Sequence, residues 1–178
     1  MSVLPPLRII WLKRDLRLRD HAPMAEAMRM GGPHLVLYCF EPEDLAHPTT
    51  SGRHLAFVQQ GLADLDAQWA EWAKEGRMPT GLRTTVLYAA FPDVLRQLMQ
   101  RFDLTGVHSY AESGLRHTYA RDLKVKKLLD ESGVVWHEHQ RDGIQRGRRN
   151  RHRWREQWFA YMSRPQEHPD FALAQPVA

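Results

Sequence analysis

The sequence predicts a single α/β domain, a doubly wound, Rossmann-like parallel sheet of five strands in the order 3-2-1-4-5 with helices on both faces. Two observations carry this. Short apolar runs without strict alternation recur five times, as strands buried on both faces do. Between them lie longer segments with apolar residues every three or four positions, the mark of amphipathic helices.

Leu7–Leu12 reads as the first strand. Asp20 is placed to cap a first helix with Pro23 in its opening turn, and Gly31-Gly32-Pro33 stops it after Met30. His34–Phe40 is the second strand, followed by a loop through Pro42 and Pro48. Ser51 opens a long helix to Lys74, along which Leu55, Val58, Leu62, Leu65, Trp69 and Trp72 recur at helical spacing. Thr84–Tyr88 is the third strand, Pro92–Phe102 a helix, Gly106–Ala111 the fourth strand, His117–Ser132 a helix and Val134–His137 the fifth strand. An irregular Gly/Arg loop (140–150) leads to a last helix, His152–Met162. The expected division is an α/β domain over 1–138, an Arg-rich loop and helix packing on it over 139–164, and the start of a linker or tail over 165–178, where prolines recur.

Composition narrows the function classes. At 178 residues and 43% hydrophobic content the chain can fill one core. No apolar run approaches the ~20 residues that span a bilayer, and the N-terminus lacks the charged-then-apolar order of a secretory signal. Cys39 is the only cysteine, so a disulfide framework is excluded and a buried, inert thiol is expected. A cytoplasmic protein with no membrane partner is the expectation. The net charge of +4 is uneven. Residues 141–164 hold eight arginines against Asp142 and Glu156, net +6, while the remainder has 17 basic against 19 acidic residues, net −2. Such local basic patches meet anions or acidic partner surfaces. No GxGxxG, phosphate loop, GxSxG or HExxH motif is present. His137 and His139 could share one strand face, a metal-compatible spacing, but without cysteine or a third convergent ligand they read as edge or interface histidines.

Ligands of doubly wound sheets bind beyond the carboxyl ends of the strands, at the switch point in strand order. Four segments fall there: Lys13–Asp20, Phe40–Arg53, Tyr88–Pro92 and Glu112–Thr118. The first is an ionic cluster, Lys13, Arg14, Arg17 and Arg19 against Asp15 and Asp20, leaving directly from a core strand. Composition alone reads it as a salt-bridge knot or as a ligand pocket.

The stretch WLKRDLRLRDHAPM (11–24) resembles the N-terminal signature of the DNA photolyase/cryptochrome family. YCFEPE (38–43) is similar to the family's aromatic-acidic-Pro turn, and SGRHLAFVQQGLADLDAQ (51–68) to its long second helix. VHSYAESGLRHTYARDLKVKKLL (107–129) resembles its fourth strand and following helix, in which a Glu follows the strand and an Arg-Asp pair opens onto the helix body. GIQRGRRNRHRWREQWFAYMSRP (143–165) resembles the segment before the family's interdomain linker. The resemblance implies an N-terminal α/β domain that carries an antenna chromophore of deazaflavin, flavin or pterin type in members that have one. It also implies a larger C-terminal helical domain that binds FAD and takes damaged DNA, splitting a pyrimidine dimer by light-driven electron transfer. This chain has no room for that domain, so it is expected to be a fragment or a free-standing domain, with no catalytic residue, no activity alone and no cofactor retained by itself.

Carried over residue by residue, the resemblance implies an antenna site. Glu112 matches the ring-binding carboxylate, Glu41 the acidic position after the second strand and Arg53 the basic position opening the second helix. Phe40 is an apolar wall, and the Lys13–Asp15 loop is the floor. Ala111 stands where pterin-binding members often carry Asn, which speaks against a folate antenna. Arg14, Arg17 and Asp15 are expected chiefly to hold the loop, while Lys13 lines the crevice. The six tryptophans are read as core residues, with Trp154 and Trp158 packing on the α/β body. The arginines of 146–155 are expected to face the partner domain or linker, with a weak DNA-backbone contact as the second reading. The parent is expected to be a photolyase; a cryptochrome-type photoreceptor, or a free-standing nucleotide- or nucleic-acid-binding domain, are the alternatives.

Overall fold

The first apolar run becomes β1 (Pro6–Leu12), and its alternation divides the molecule in two. Ile10 and Leu12 point into one layer with Met24, Leu62, Leu65, Trp69 and Trp72. Leu7, Ile9 and Trp11 point into the other with Phe91, Leu95, Val125 and Leu129. A strand buried on both faces must lie inside a parallel sheet covered by helices, and β1 pairs in parallel with β2 (Pro33–Phe40) on one side and β4 (Asp103–Tyr110) on the other. With β3 (Thr84–Tyr88) and β5 (Trp136–His139) the order is β3-β2-β1-β4-β5, as the sequence predicts. The computed structural model describes residues 3–177. Among them no helix is long and apolar enough to cross a membrane.

Helices α1 (Ala22–Met30) and α3 (Gly52–Lys74) cover the first layer, and α4 (Phe91–Met99) and α5 (Arg116–Glu131) the second. The loop expected after the second strand contains one further turn, α2 (Pro42–Leu45), which Pro42 opens. Several expectations are corrected. Asp20 does not cap α1: it sits at φ 49°, and His21 is the cap, its Nδ1 accepting the Met24 N–H at 3.1 Å. The freed Asp20 carboxylate accepts the Glu167 N–H instead. Strand β5 starts at Trp136 rather than Val134, because Gly133 (φ 68°) turns the chain and the Val134 N–H bonds back to the Leu129 carbonyl.

The stretch 165–178, expected as the start of a linker or tail, lies against the domain over its described residues. Phe171, in a 3₁₀ turn (Phe171–Leu173), is buried edge-on against Trp69 and Trp72, with ring centroids 5.4 and 5.2 Å away. Beyond it, β6 (Gln175–Pro176) pairs with the start of β2. The last helix, α6 (Trp154–Met162), buries none of its residues. Trp154, Phe159 and Met162 are about half exposed, which corrects the packing expected of Trp154; Trp158 is half-buried. Trp11, Trp69 and Trp72 are core residues as expected.

Candidate functional site

At the carboxyl edge of β1, β2 and β4 a cleft of about 790 Å³ opens between the loop after β1, α2, the first turns of α3 and the start of α5. That volume is in the range of small-molecule sites. Lys13, Asp15, Phe40, Glu41 and Glu112 all line it, so five of the six predicted site residues converge. Arg53 does not. It is exposed at the start of α3, while Leu55, Val58 and Gly61 turn toward the cleft. Two residues before Leu55 means about 200° of helical rotation, which carries Arg53 to the outer side.

A basic residue missing from the sequence-based set does enter: Arg121, in the second turn of α5. Its guanidinium donates to Glu41 Oε1 (2.7 Å), Glu112 Oε2 (3.0 Å) and Asp122 Oδ1 (2.9 Å), and lies 4.7 Å from the Trp11 ring centroid. The planar, permanently charged guanidinium suits such multiple pairing. Lys13, also buried, donates to Asp122 Oδ2 (2.7 Å) and the Tyr110 carbonyl (3.0 Å) above Trp11, which stacks on Phe91 at 3.7 Å. The buried cluster thus sets two cations against three carboxylates, with half-exposed Arg14 3.7 Å from Glu112 at the rim.

Burial and pairing pull the groups in different directions. For Arg121, burial works against the charge but the Glu41 and Asp122 carboxylates outweigh it, so its pKa rises. For Glu112, burial is outweighed by Arg14, Arg121 and Lys13, and its pKa falls below the ordinary value. For Glu41, burial wins over Arg121 and the Phe91 N–H, and its pKa rises. Lys13 is lowered by burial despite Asp122. Glu112 Oε1 also accepts the Gly114 N–H (2.6 Å), and Glu41 Oε2 the Phe91 N–H (3.2 Å). Each carboxylate has about four lone-pair positions, so both keep acceptor capacity. The walls are apolar or aromatic, with Tyr38 and Phe40 packed edge to face at 5.1 Å and Leu55, Val58 and Leu115 around them. A slot with carboxylate acceptors on its floor and flat apolar walls fits a planar heteroaromatic with ring N–H donors.

The ionic stretch after β1 both pins its own loop and lines the cleft. Asp15 is fully buried, accepting the Lys13 N–H (2.9 Å) and bonded to His21 Nε2 (2.7 Å). Arg17 fixes the loop through the carbonyls of Arg19 and Asp20. Lys13 belongs to the cleft. Cys39 is buried beside it, and burial pushes its thiol up to about 12, as an inert cysteine requires. In the Arg-rich loop, Arg146 Nη2 donates to both Glu138 carboxylate oxygens, Arg148 is tied to Gln157 and the His152 carbonyl, and Arg153 pairs Glu156. Arg149 and Arg151 are exposed and make no side-chain bond among the described residues.

The DNA photolyase family model matches residues 8–145, and the chain belongs to this family. It is 26% identical over 136 residues to the deoxyribodipyrimidine photo-lyase of Vibrio cholerae, covering 73% of this chain and 27% of that protein. It is 27% identical over 103 residues to cryptochrome DASH of Synechocystis sp., covering 55% of this chain and 20% of that protein. The chain therefore spans about a quarter or less of these relatives. The archaeal photolyase of Sulfolobus tokodaii, solved with two FAD molecules and implicating a novel light-harvesting cofactor, shares the fold with a TM-score of 0.73 at 19% identity. That match covers 93% of this chain and 37% of the archaeal one. The class III photolyase of Agrobacterium tumefaciens gives 0.69 at 20% identity, over 100% and 36% of the two chains.

Proposed function

We propose that this chain is the antenna-type α/β domain of a photolyase, and that the cleft over Arg121 holds a flavin- or deazaflavin-like chromophore. The observation that carries the reading is the cleft itself: Glu41 and Glu112, locked in place by one buried guanidinium, face a slot with apolar walls. The Sulfolobus tokodaii photolyase, solved with two FAD molecules and implicating a novel light-harvesting cofactor, supports a flavin as the second pigment. The residues present fit such a group. Glu41 and Glu112 would accept its ring N–H bonds, Phe40 would form an apolar wall, and the Lys13–Asp15 loop with Leu55 and Val58 would keep water out. When bound, the chromophore absorbs blue or near-UV light and passes the excitation on. The chain's own part is to hold it rigid and dry.

In the parent protein a helical FAD domain takes damaged DNA and splits pyrimidine dimers. The exposed apolar residues of α6 and the free Arg149 and Arg151 form the face toward that domain or its linker. Illumination of dimer-containing duplex by the full-length protein with reduced FAD tests the activity. Light-dependent loss of dimers is expected. No loss removes the repair reading and leaves the photoreceptor one, which the cryptochrome relatives favour. A coding sequence with no helical domain after residue 178 would favour a free-standing nucleotide-binding domain.

A further inference from the structure

On the α1 face of the sheet, away from the cleft, the two histidines of β5 meet partners that the sequence order conceals. Glu26 of α1 sends Oε2 to His139 Nε2 (2.8 Å), His108 Nδ1 (3.3 Å) and His137 Nδ1 (3.4 Å). His108 lies opposite His137 across the β4–β5 ladder, and their rings stack in parallel at 4.3 Å. The ligand atoms of Glu26, His108 and His139 all lie within 4.8 Å of one another.

We propose that Glu26, His108 and His139 form a binding site for a divalent transition-metal ion of the zinc type. Four features support it. Two imidazoles and a carboxylate are a borderline donor set that suits Zn²⁺ and its neighbours rather than Mg²⁺ or Ca²⁺. A tetrahedral ion with bonds of about 2.0–2.1 Å spaces its ligand atoms about 3.3–3.4 Å apart, the separation that His108 Nδ1 keeps from Glu26 Oε2, while His139 Nε2, at 2.8 Å, draws back when the ion enters. His108 is wholly buried, yet its Nδ1 has no hydrogen-bond partner, because Glu26 lies off the hydrogen-bond line. Buried ring nitrogens are otherwise satisfied. Glu26, His137 and His139 are each partly exposed, so an ion can enter.

The neighbours set a condition. Arg8 Nη1 reaches His108 Nε2 at 3.2 Å, but metal on Nδ1 places the imidazole proton on Nε2. Arg8 must then turn to the Thr105 carbonyl, already 3.5 Å from the same nitrogen. Gly106 leaves room for the guanidinium, since a Cβ there would lie 2.9 Å from Arg8 Nη1. A water completes the coordination, with His137 stacked on the His108 ring beside it. The ion ties α1 to β4 and to the edge strand β5, a structural role distinct from light capture.

The test is metal titration of tag-free, chelator-stripped protein, with Zn²⁺ followed by calorimetry and Co²⁺ by its visible ligand-field bands. One equivalent per chain is expected, and a rise in Tm of about 5–10 °C when Zn²⁺ is at 100 times its Kd. Glu26→Gln and His139→Ala should each weaken binding more than ~10-fold, while His152→Ala, an exposed histidine elsewhere, should not. Near-UV circular dichroism checks that each variant is folded. Glu26→Gln, close to isosteric, keeps the test valid if His139→Ala is not. No saturable binding, or Zn²⁺ affinity equal in wild type and Glu26→Gln, overturns the site and leaves a proton-sharing hub.

Discussion

Replacing Arg121 with alanine removes the one cation that Glu41, Glu112 and Asp122 share. Lys13 still serves Asp122, and Arg14 approaches Glu112 from the rim. Glu41 is left with the Phe91 N–H as its partner, in a position 6% exposed. Removing one partner of a buried pair costs about 3–5 kcal/mol, chiefly because the other charge is stranded. For a domain of this size each kcal/mol moves Tm by about 2–4 °C, so the variant should melt about 6–20 °C lower at pH 7. The deficit should shrink as pH falls toward 5, because Glu41, already raised above its ordinary value, takes up a proton first and needs no cation. Arg121→Lys should recover part of the loss, since it restores the charge but not the fork. Scanning calorimetry from pH 7 to 5 checks this. A Tm within 2 °C of wild type at pH 7, or a deficit that grows on acidification, refutes the hub.

Asp15 tests the loop after β1. Burial raises its pKa, but the His21 and Lys13 N–H bonds outweigh burial and hold it below the ordinary value. Its contribution is therefore present above about pH 4 and lost as pH falls through the native pKa. Asp15→Asn should flatten the acid limb of the stability curve in urea unfolding. Cys39 should resist a thiol reagent at pH 8 in the native protein and react at once in denaturant, given a thiol pushed up to about 12. Phe171→Ala should cost about 3–4 kcal/mol and expose the segment after residue 164 to proteolysis before the sheet opens.

The fold was legible because burial on both faces leaves unalternating apolar runs, and five of these fix a covered parallel sheet. Glu41 and Glu112 were legible only through the resemblance; the strand pattern by itself places their segments, not these residues, at the carboxyl edge of the sheet. Arg121 was visible only as half of an Arg-Asp pair. Its role depends on a side chain reaching Glu41, 80 positions away. Arg53 failed because motif position ignores helical phase, and only the turn of α3 decides which residues face the cleft. The sequence spacing puts His137 and His139 on one strand face, but their partners come from α1 and β4, which only the sheet order brings together. The final segment reads as a tail by its prolines, yet Phe171 packs against two tryptophans and the short β6 pairs with β2, and together they hold it to the domain.

The central claim is that the cleft over Arg121 holds a second chromophore. Denaturing the full-length protein and quantifying the released pigments tests it directly. The account predicts FAD plus about one equivalent of a flavin- or deazaflavin-type pigment, with the second pigment lost and FAD kept when Leu55→Trp fills the cleft. One equivalent of FAD alone, or a second pigment untouched by that substitution, contradicts it.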